Sequence, residues 1–220
     1  MLVNKTNLII ALTKGRILEE TLPLFERAGI VPSESLKKSR KLLFETNIKN
    51  VQFMLLRGSD VATYVEFGSA DMGVVGKDLI LEHGSDGFYE PLDLGIAQCR
   101  LMTAVRSDRK ILSGRITVAT KYINIAKEYF AEQGKQIELI KLNGALELAP
   151  ALGLADAIVD IVDTGKTLKA NGLEPQNLIA DISSRVIVNK ASMKIKHKIV
   201  SEITGLLDKA VKNGVPDLGM

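Results

Sequence analysis

Residues 156–168 read DAIVDIVDTGKTL, and the order of residue types in this stretch sets the fold class. A run of apolar and β-branched residues passes through Thr164-Gly165 into the opening of a helix. A strand handing over to a helix at a glycine turn is the repeating step of an α/β protein. The turn also has a chemistry of its own. Gly165 lets the backbone fold tightly, successive N–H groups then point outward, and the helix N-terminus adds positive potential, which together suit an anion. The hydroxyls of Thr164 and Thr167 can complete the shell around a monophosphate, with Lys166 beside them. Gly165-Lys166-Thr167 matches the last three letters of a nucleotide P-loop, but that motif needs a further glycine where Asp160 stands. A carboxylate there would repel a triphosphate. Asp160 and Asp163 instead suit a sugar phosphate, because they accept hydrogen bonds from vicinal ribose hydroxyls while the amides hold the 5-phosphate. The plainer reading is a capped helix start, with Asp163 or Thr164 as N-cap.

Outward from this stretch the same alternation continues. Apolar runs predict strands at 8–12, 42–46, 51–56, 71–75, 99–105, 116–119, 137–142, 157–162 and 185–189. Helical periodicity predicts helices near 17–28, 59–67, 77–83, 122–133, 145–152, 165–171 and 192–213. In the last of these Ile195, Ile199, Ile203, Leu206 and Ala210 form the expected apolar stripe, with Ser192 as N-cap and Gly214 as stop. An internal echo runs through the chain. Strand, Thr13-Lys14 and a helix closed by Gly29 is matched by strand, Thr120-Lys121 and a helix closed by Gly134. Downstream of each comes an Ala-Asp pair leading an apolar strand, at Ala70-Asp71 and Ala155-Asp156. Two similar α/β lobes facing a cleft would produce this pattern; so would the ordinary repetition of units in any α/β protein. The turns from Gly68 to Asp71 and from Gly153 to Asp156 resemble those of two-lobed solute-binding folds. Crossings between lobes are expected near 93–98 and 183–186.

The 220 residues are 46% apolar and 25% charged, with a formal net charge of +3. That balance excludes disorder and offers no broad basic surface for nucleic acid or membrane, while leaving room for local anion pockets. The single cysteine, Cys99, excludes an internal disulfide framework. Two distant histidines, His83 and His197, argue against a zinc site and against a Ser-His-Asp or Cys-His arrangement. The apolar run at 8–12 is too short for a signal segment or a membrane span, so a soluble cytoplasmic protein is expected.

Basic residues cluster where strands end. Lys14-Gly15-Arg16 lies between the first strand and its helix, and cations at a helix N-terminus oppose the macrodipole. An anionic ligand would compensate them; a solvated turn is the alternative. Arg40 precedes a strand and Arg57-Gly58 ends one, where α/β folds place ligand contacts. Glu147 is expected in the first turn of a short helix, where the dipole alone would favour a carboxylate.

These blocks resemble the short form of the catalytic subunit of ATP phosphoribosyltransferase, the first enzyme of histidine biosynthesis. The resemblance covers nearly the whole chain: Leu12-Thr13-Lys14-Gly15-Arg16, Leu56-Arg57-Gly58-Ser59-Asp60-Val61, residues 68–76, residues 142–150, and Gly153-Leu154-Ala155-Asp156 through Asn171-Gly172-Leu173. One departure is Ile123, where the family usually has proline. The resemblance implies a two-lobed fold of the periplasmic-binding-protein type (type II) with an interdomain active-site cleft. Lobe I, on the ATP and diphosphate side, would comprise 1–95 with 184–220, the C-terminal helix returning to it; lobe II, carrying the donor loop, would comprise 96–183. It implies condensation of ATP with 5-phosphoribosyl 1-diphosphate, with Mg2+, to N1-(5-phosphoribosyl)-ATP and diphosphate. The family's donor-binding residues carry over to Glu147, Asp160, Asp163, Thr164, Gly165, Lys166 and Thr167. Its ATP- and diphosphate-binding cations carry over to Lys14, Arg16, Arg40 and Arg57, with Lys14, Arg16 and Arg57 expected in catalysis. The chain ends soon after its final helix, so the regulatory domain of long forms is expected to be absent. A homodimer within a hetero-oligomer, completed by a regulatory subunit related to histidyl-tRNA synthetase, is the assembly this implies. A non-enzymatic solute-binding module of the same fold is the competing function.

Overall fold

The computed structural model describes residues 7–36, 39–84, 86–108 and 114–213. They fall into two compact units, one bounded by Met1–Ile80, Ser85–Ala97 and Ser183–Met220, the other by Leu81–Gly84 and Gln98–Ile182. The chain therefore passes from the first unit to the second after Ala97 and returns after Ile182.

The first unit is built on a six-stranded sheet of order β2-β3-β1-β4-β11-β5. Its strands are β1 (Leu8–Thr13), β2 (Leu43–Glu45), β3 (Val51–Leu56), β4 (Met72–Gly76), β5 (Phe88–Asp93) and β11 (Ser184–Asn189). β1 runs parallel to β3 and β4 at the centre, and all six of its residues are buried, as a central parallel strand covered on both faces requires. Leu8, Ile10 and Leu12 face one core with Leu18 and Phe25 of α1 (Arg16–Arg27) and Val200, Ile203 and Leu207 of α8 (His197–Lys212). Ile9 and Ala11 face the other, with Val61, Ala62 and Val65 of α2 (Gly58–Glu66). On that face α2 rides so close to β4 that a Cβ on Gly73 would stand 2.7 Å from Val61 Cγ1. α3 (Lys77–His83) leaves β4 directly, and its last residues belong with the second unit.

The second unit carries a five-stranded sheet of order β10-β6-β9-β7-β8. Here β6 (Cys99–Arg106) is antiparallel to both β9 (Ala157–Val162) and β10 (Leu173–Ile182), while β7 (Ile116–Thr120) is parallel to β9 and to β8 (Ile137–Lys141). α4 (Ile123–Glu132), α5 (Leu148–Ala151) and α6 (Lys166–Ala170) complete it. Ile123 is the first residue of α4, a position where proline is at home but not required. The amides of Asn124 and Ile125 there are capped by the Glu82 carboxylate, at 3.0 and 3.2 Å.

The internal echo is real at the level of hydrogen bonds. Asp71 Oδ2 accepts from Ile9 N–H at 2.8 Å, and Asp156 Oδ2 accepts from Thr117 N–H at 3.0 Å, each on the second residue of its strand. Thr13 donates to the Val74 carbonyl and Thr120 to the Val159 carbonyl. Gly29 and Gly134 end α1 and α4 in the left-handed region, at φ 76° and 65°.

Three expectations need correction. β5 and β10 are strands the apolar runs do not predict: each is an edge strand that contains a proline (Pro91, Pro175) and exposes much of its length. The expected helix at 192–213 is two helices, α7 (Lys190–Ile195) and α8, broken at Lys196 (φ −112°, ψ 25°). The N-cap is Asn189, whose side chain accepts from Ala191 and Ser192 N–H, whereas Ser192 donates its hydroxyl to Asp71 at 2.6 Å. Ile195 is 82% exposed, and the buried stripe is Val200, Ile203, Leu207 and Ala210. Gly214 lies outside the described residues. Lys196 explains the break: its ammonium reaches the buried Asp71 carboxylate at 2.8 Å and the Asn7 carbonyl at 2.6 Å.

Candidate active site

In each unit the parallel strands end on the same edge of the sheet, and the sequence-predicted residues lie there. In the first unit β1 ends at Lys14-Gly15-Arg16 and β3 at Arg57. Arg40 reaches the same edge because the residues before β2 pair with the end of β3, Leu55 N–H bonding the Leu42 carbonyl at 2.8 Å. This is where open α/β sheets bind ligands. Lys14 N–H still bonds the Leu56 carbonyl at 2.9 Å, which extends the β1–β3 ladder by one residue and sets Lys14 beside the start of Arg57. Gly15 then turns the chain with φ 90°, a value that strains any side-chain-bearing residue. As N-cap of α1 it offers no side chain to the first-turn amides.

Lys14, Gly15 and Arg40 line a cavity of about 420 Å³, floored by Leu18, Leu36, Leu42 and Leu55, within the range of small-molecule sites. Lys41 and Ser39 line it too and were not anticipated; the adjacent Arg40-Lys41 pair was the available signal. Lys41 is paired with Glu34 at 2.7 Å. Arg16 and Arg57 stand outside this lining. Arg57 is the exposed N-cap of α2. Arg16 directs its Nε to Glu20 Oε1 at 2.7 Å, so the charge that opposes the α1 dipole is met in part by the protein itself. Burial works against the charged form of Glu20; the hydrogen bond from Ala97 N–H and the bond and charge of Arg16 outweigh it and hold the carboxyl below its ordinary range.

In the second unit β8 leads to Glu147 and β9 to the turn at 163–167. Val162 before the turn and Leu168 after it are buried in one core cluster, so the turn is strapped at both ends while Asp163, Thr164, Lys166 and Thr167 are exposed. Gly165 is the N-cap of α6, at φ 73°, in place of the expected Asp163 or Thr164. Thr164 Oγ1 accepts from Lys166 N–H only at 3.5 Å, the long limit of such a bond. The turn is thus shaped by glycine conformation more than by a side-chain cap. Asp160 is half-buried and falls on the same face of β9 as Ile158 and Val162. Leu146 and Ala149, which flank Glu147, pack in that same cluster, so Glu147 and Asp160 share one side of the sheet. Glu147 is the N-cap residue before α5, which spans only Leu148–Ala151, and not part of its first turn. Arg100 stands opposite Val162 in the β6–β9 register, next to the start of the turn.

Chemically, the first edge offers cations at a helix N-terminus, which suit phosphates. The second offers an amide turn with carboxylates behind it, which suits a phosphorylated sugar. Among the described residues no group of three His, Cys, Asp or Glu is placed to hold a metal ion. No helix among them is long and apolar enough to cross a membrane.

The family model described as HisG, ATP phosphoribosyltransferase, matches residues 57–209. An ATP phosphoribosyltransferase of Saccharophagus degradans is 66% identical over 94% of this chain and 97% of its own length. One from Pseudomonas aeruginosa is 58% identical over 93% of this chain and 97% of its own length. Among solved structures, the ATP phosphoribosyl transferase (HisG:HisZ) complex from Thermotoga maritima superposes with a TM-score of 0.83 at 32% identity, covering 94% of this chain and 99% of that one. Tv2483 bound to L-arginine superposes with a TM-score of 0.62 at 14% identity, covering 95% and 86%, which is a likeness of fold alone.

Proposed function

The chain belongs to the HisG family of ATP phosphoribosyltransferases, and from that premise we propose that its two sheet edges divide the substrates of the reaction between them. The reaction is the condensation of ATP with 5-phosphoribosyl 1-diphosphate, the first step of histidine biosynthesis. Adenine N1 forms a bond to ribose C1 as the bond from C1 to the diphosphate oxygen breaks, and the electron pair leaves with the diphosphate. N1 carries its own lone pair, so no strong base is needed. Position and charge are what the protein must supply.

The turn at 163–167 takes the 5-phosphate of the donor, its amides and the Thr164 and Thr167 hydroxyls donating to phosphate oxygens, with Lys166 adding charge. Asp160, Asp163 and Glu147 serve the ribose, accepting from its hydroxyls and easing positive charge that develops at C1. Lys14, Arg16, Arg40 and Arg57 take the ATP phosphates and the departing diphosphate, with Lys14, Arg16 and Arg57 acting on the reacting phosphates. The observation that carries this division is the strapped Gly165 turn with a half-buried carboxylate behind it on the same strand.

Magnesium fits as an ion carried in on phosphates: it keeps several waters and needs only one or two protein carboxylates, and the hard oxygens at hand are those of Asp160 and Asp163. When bound, it would neutralise charge on the leaving diphosphate. A HisZ-like partner, related to histidyl-tRNA synthetase, joins a homodimer of this chain in the assembled enzyme, and the location is the cytoplasm. A solute-binding role is disfavoured by the 66% identity to a transferase over 94% of the chain.

The test is to mix the full chain, with and without a HisZ-like subunit, with ATP, 5-phosphoribosyl 1-diphosphate, magnesium and a diphosphatase, and to follow absorbance of the N1-alkylated adenine. Product is expected, and its absence in both mixtures would sink the reading. Asp160→Ala and Thr167→Ala should each raise the donor KM about tenfold, the loss of a charge-assisted contact, while the ATP KM stays within about threefold. Equal loss for both substrates would contradict the assignment of the turn.

A further inference from the structure

Arg16 and Glu20 form an i,i+4 pair on α1, which by itself would be worth little. The second oxygen of Glu20 changes its meaning. Glu20 Oε2 accepts from the Ala97 N–H at 2.7 Å, across 77 positions of sequence. Ala97 is the last residue of the first unit before the chain passes to the second. It is also, with Asn50 and Ala145, one of three non-glycine residues with positive φ among the described residues, at 50°. A side-chain-bearing residue stays in that region only when its surroundings hold it there.

The rest of the crossing segment is fastened by ordinary means. Ser184 N–H bonds the Ile96 carbonyl at 3.0 Å, and Leu94 N–H bonds the Ser184 carbonyl at 2.9 Å, so the outgoing and returning strands pair. The Asp93 carboxylate takes Gly95 N–H at 2.9 Å, the Ser183 hydroxyl at 2.8 Å and Arg185 at 3.0 Å. These contacts stay within the two crossing strands. The Glu20 contact reaches out of them to the helix that begins at Lys14-Gly15-Arg16.

We infer that Glu20 is a positioning residue for the diphosphate-side cation: one carboxylate oxygen fixes Arg16 and the other holds the Ala97 amide, so that anion binding at Arg16 and the conformation of the crossing segment form one coupled equilibrium. This rests on Arg16 meeting the diphosphate. Held by its Nε, the guanidinium is oriented before an anion arrives, which lowers the ordering cost of binding. Through the shared carboxylate, an anion that draws on Arg16 alters the grip on Ala97, and by linkage the reverse holds.

The experiment uses Arg16→Ala, Glu20→Ala, Glu20→Gln and the double variant Arg16→Ala/Glu20→Ala in the full chain. It measures inhibition by diphosphate and hydrogen exchange at the Ala97 amide. Glu20→Ala is expected to weaken diphosphate about tenfold, in line with loss of a charge-assisted hydrogen bond, and Glu20→Gln to recover most of it through its amide oxygen. The double variant should bind diphosphate no worse than Arg16→Ala. Ala97 protection should fall in Glu20→Ala and shift with diphosphate in the unaltered chain only. Additive losses in the double variant, or Ala97 protection indifferent to both Glu20 and diphosphate, would overturn the inference. If Arg16→Ala leaves diphosphate binding intact, the Arg16 assignment falls and takes this inference with it. If Arg16→Ala weakens binding while Glu20→Ala does not, only the coupling is wrong.

Discussion

The two units repeat one framework and differ in what is attached to it. In both, an aspartate at the head of the fourth strand or its counterpart (β4, β9) accepts from the second residue of the neighbouring parallel strand. In both, a threonine at the strand end bonds a carbonyl on that same partner, and a left-handed glycine closes the helix. The differences lie in the loops that leave the strands. β1 runs out into Lys14-Gly15-Arg16 beside a cavity, whereas β7 runs into Lys121 and the fully buried Tyr122. β4 passes straight into α3, whereas β9 opens into the glycine turn at 163–167. A repeated scaffold thus presents cations from the first turn in one unit and, from the later turn in the other, the glycine turn proposed to take a phosphate. Framework is set by backbone hydrogen bonding, and chemistry by short loops that the framework does not constrain.

The aspartates give the sharpest way to break the parallel. Asp71 is buried and also receives Ser192 and the Lys196 ammonium, whereas Asp156 is half-buried. Asp71→Ala strands a largely buried ammonium and should cost about 3 kcal/mol in urea unfolding, while Asp156→Ala should cost about 1 kcal/mol. Equal losses would show that the returning helices α7 and α8 are not pinned through Asp71.

Two left-handed glycines come next, Gly134 closing α4 and Gly165 opening α6. Gly134 and Gly165 have similar φ, 65° and 73°, so an alanine at either should cost about 1 kcal/mol of strain. Only Gly165→Ala should also raise the donor KM, because only that turn is proposed to hold the donor phosphate. A rise for both, or for neither, would separate the strain from the proposed site.

Smallest is a pH effect confined to the first unit. The Glu20 carboxyl lies below its ordinary value of 4.5 in the folded chain. Its contribution to stability is therefore complete above the ordinary carboxylate value and fades as pH falls through the depressed one. The stability difference between the unaltered chain and Glu20→Gln should hold steady at neutral pH and shrink in acid. A difference that grows in acid would reverse the sign of the shift.

The framework and the loops were legible to different degrees. The strand-turn-helix steps, the echo and the glycine turn are short-range patterns, written in residues a few positions apart. The edge strands β5 and β10 were not, since exposed positions and a proline within each remove the apolar run that marks a strand. Of the site residues, Lys14 and Arg40 meet in one cavity, and Lys41 joins them unannounced.

What the sequence determined alone is the class of fold, the two-part repeat and the glycine turn at 163–167, because glycine conformation and hydrophobic period act locally. What only the tertiary structure decided is which distant charges meet. Lys196 breaks a helix to reach Asp71 across 125 positions, and Glu20, paired with Arg16, reaches Ala97 across 77. Such bonds depend on where folded strands and helices bring their ends together, and no spacing along the chain encodes that.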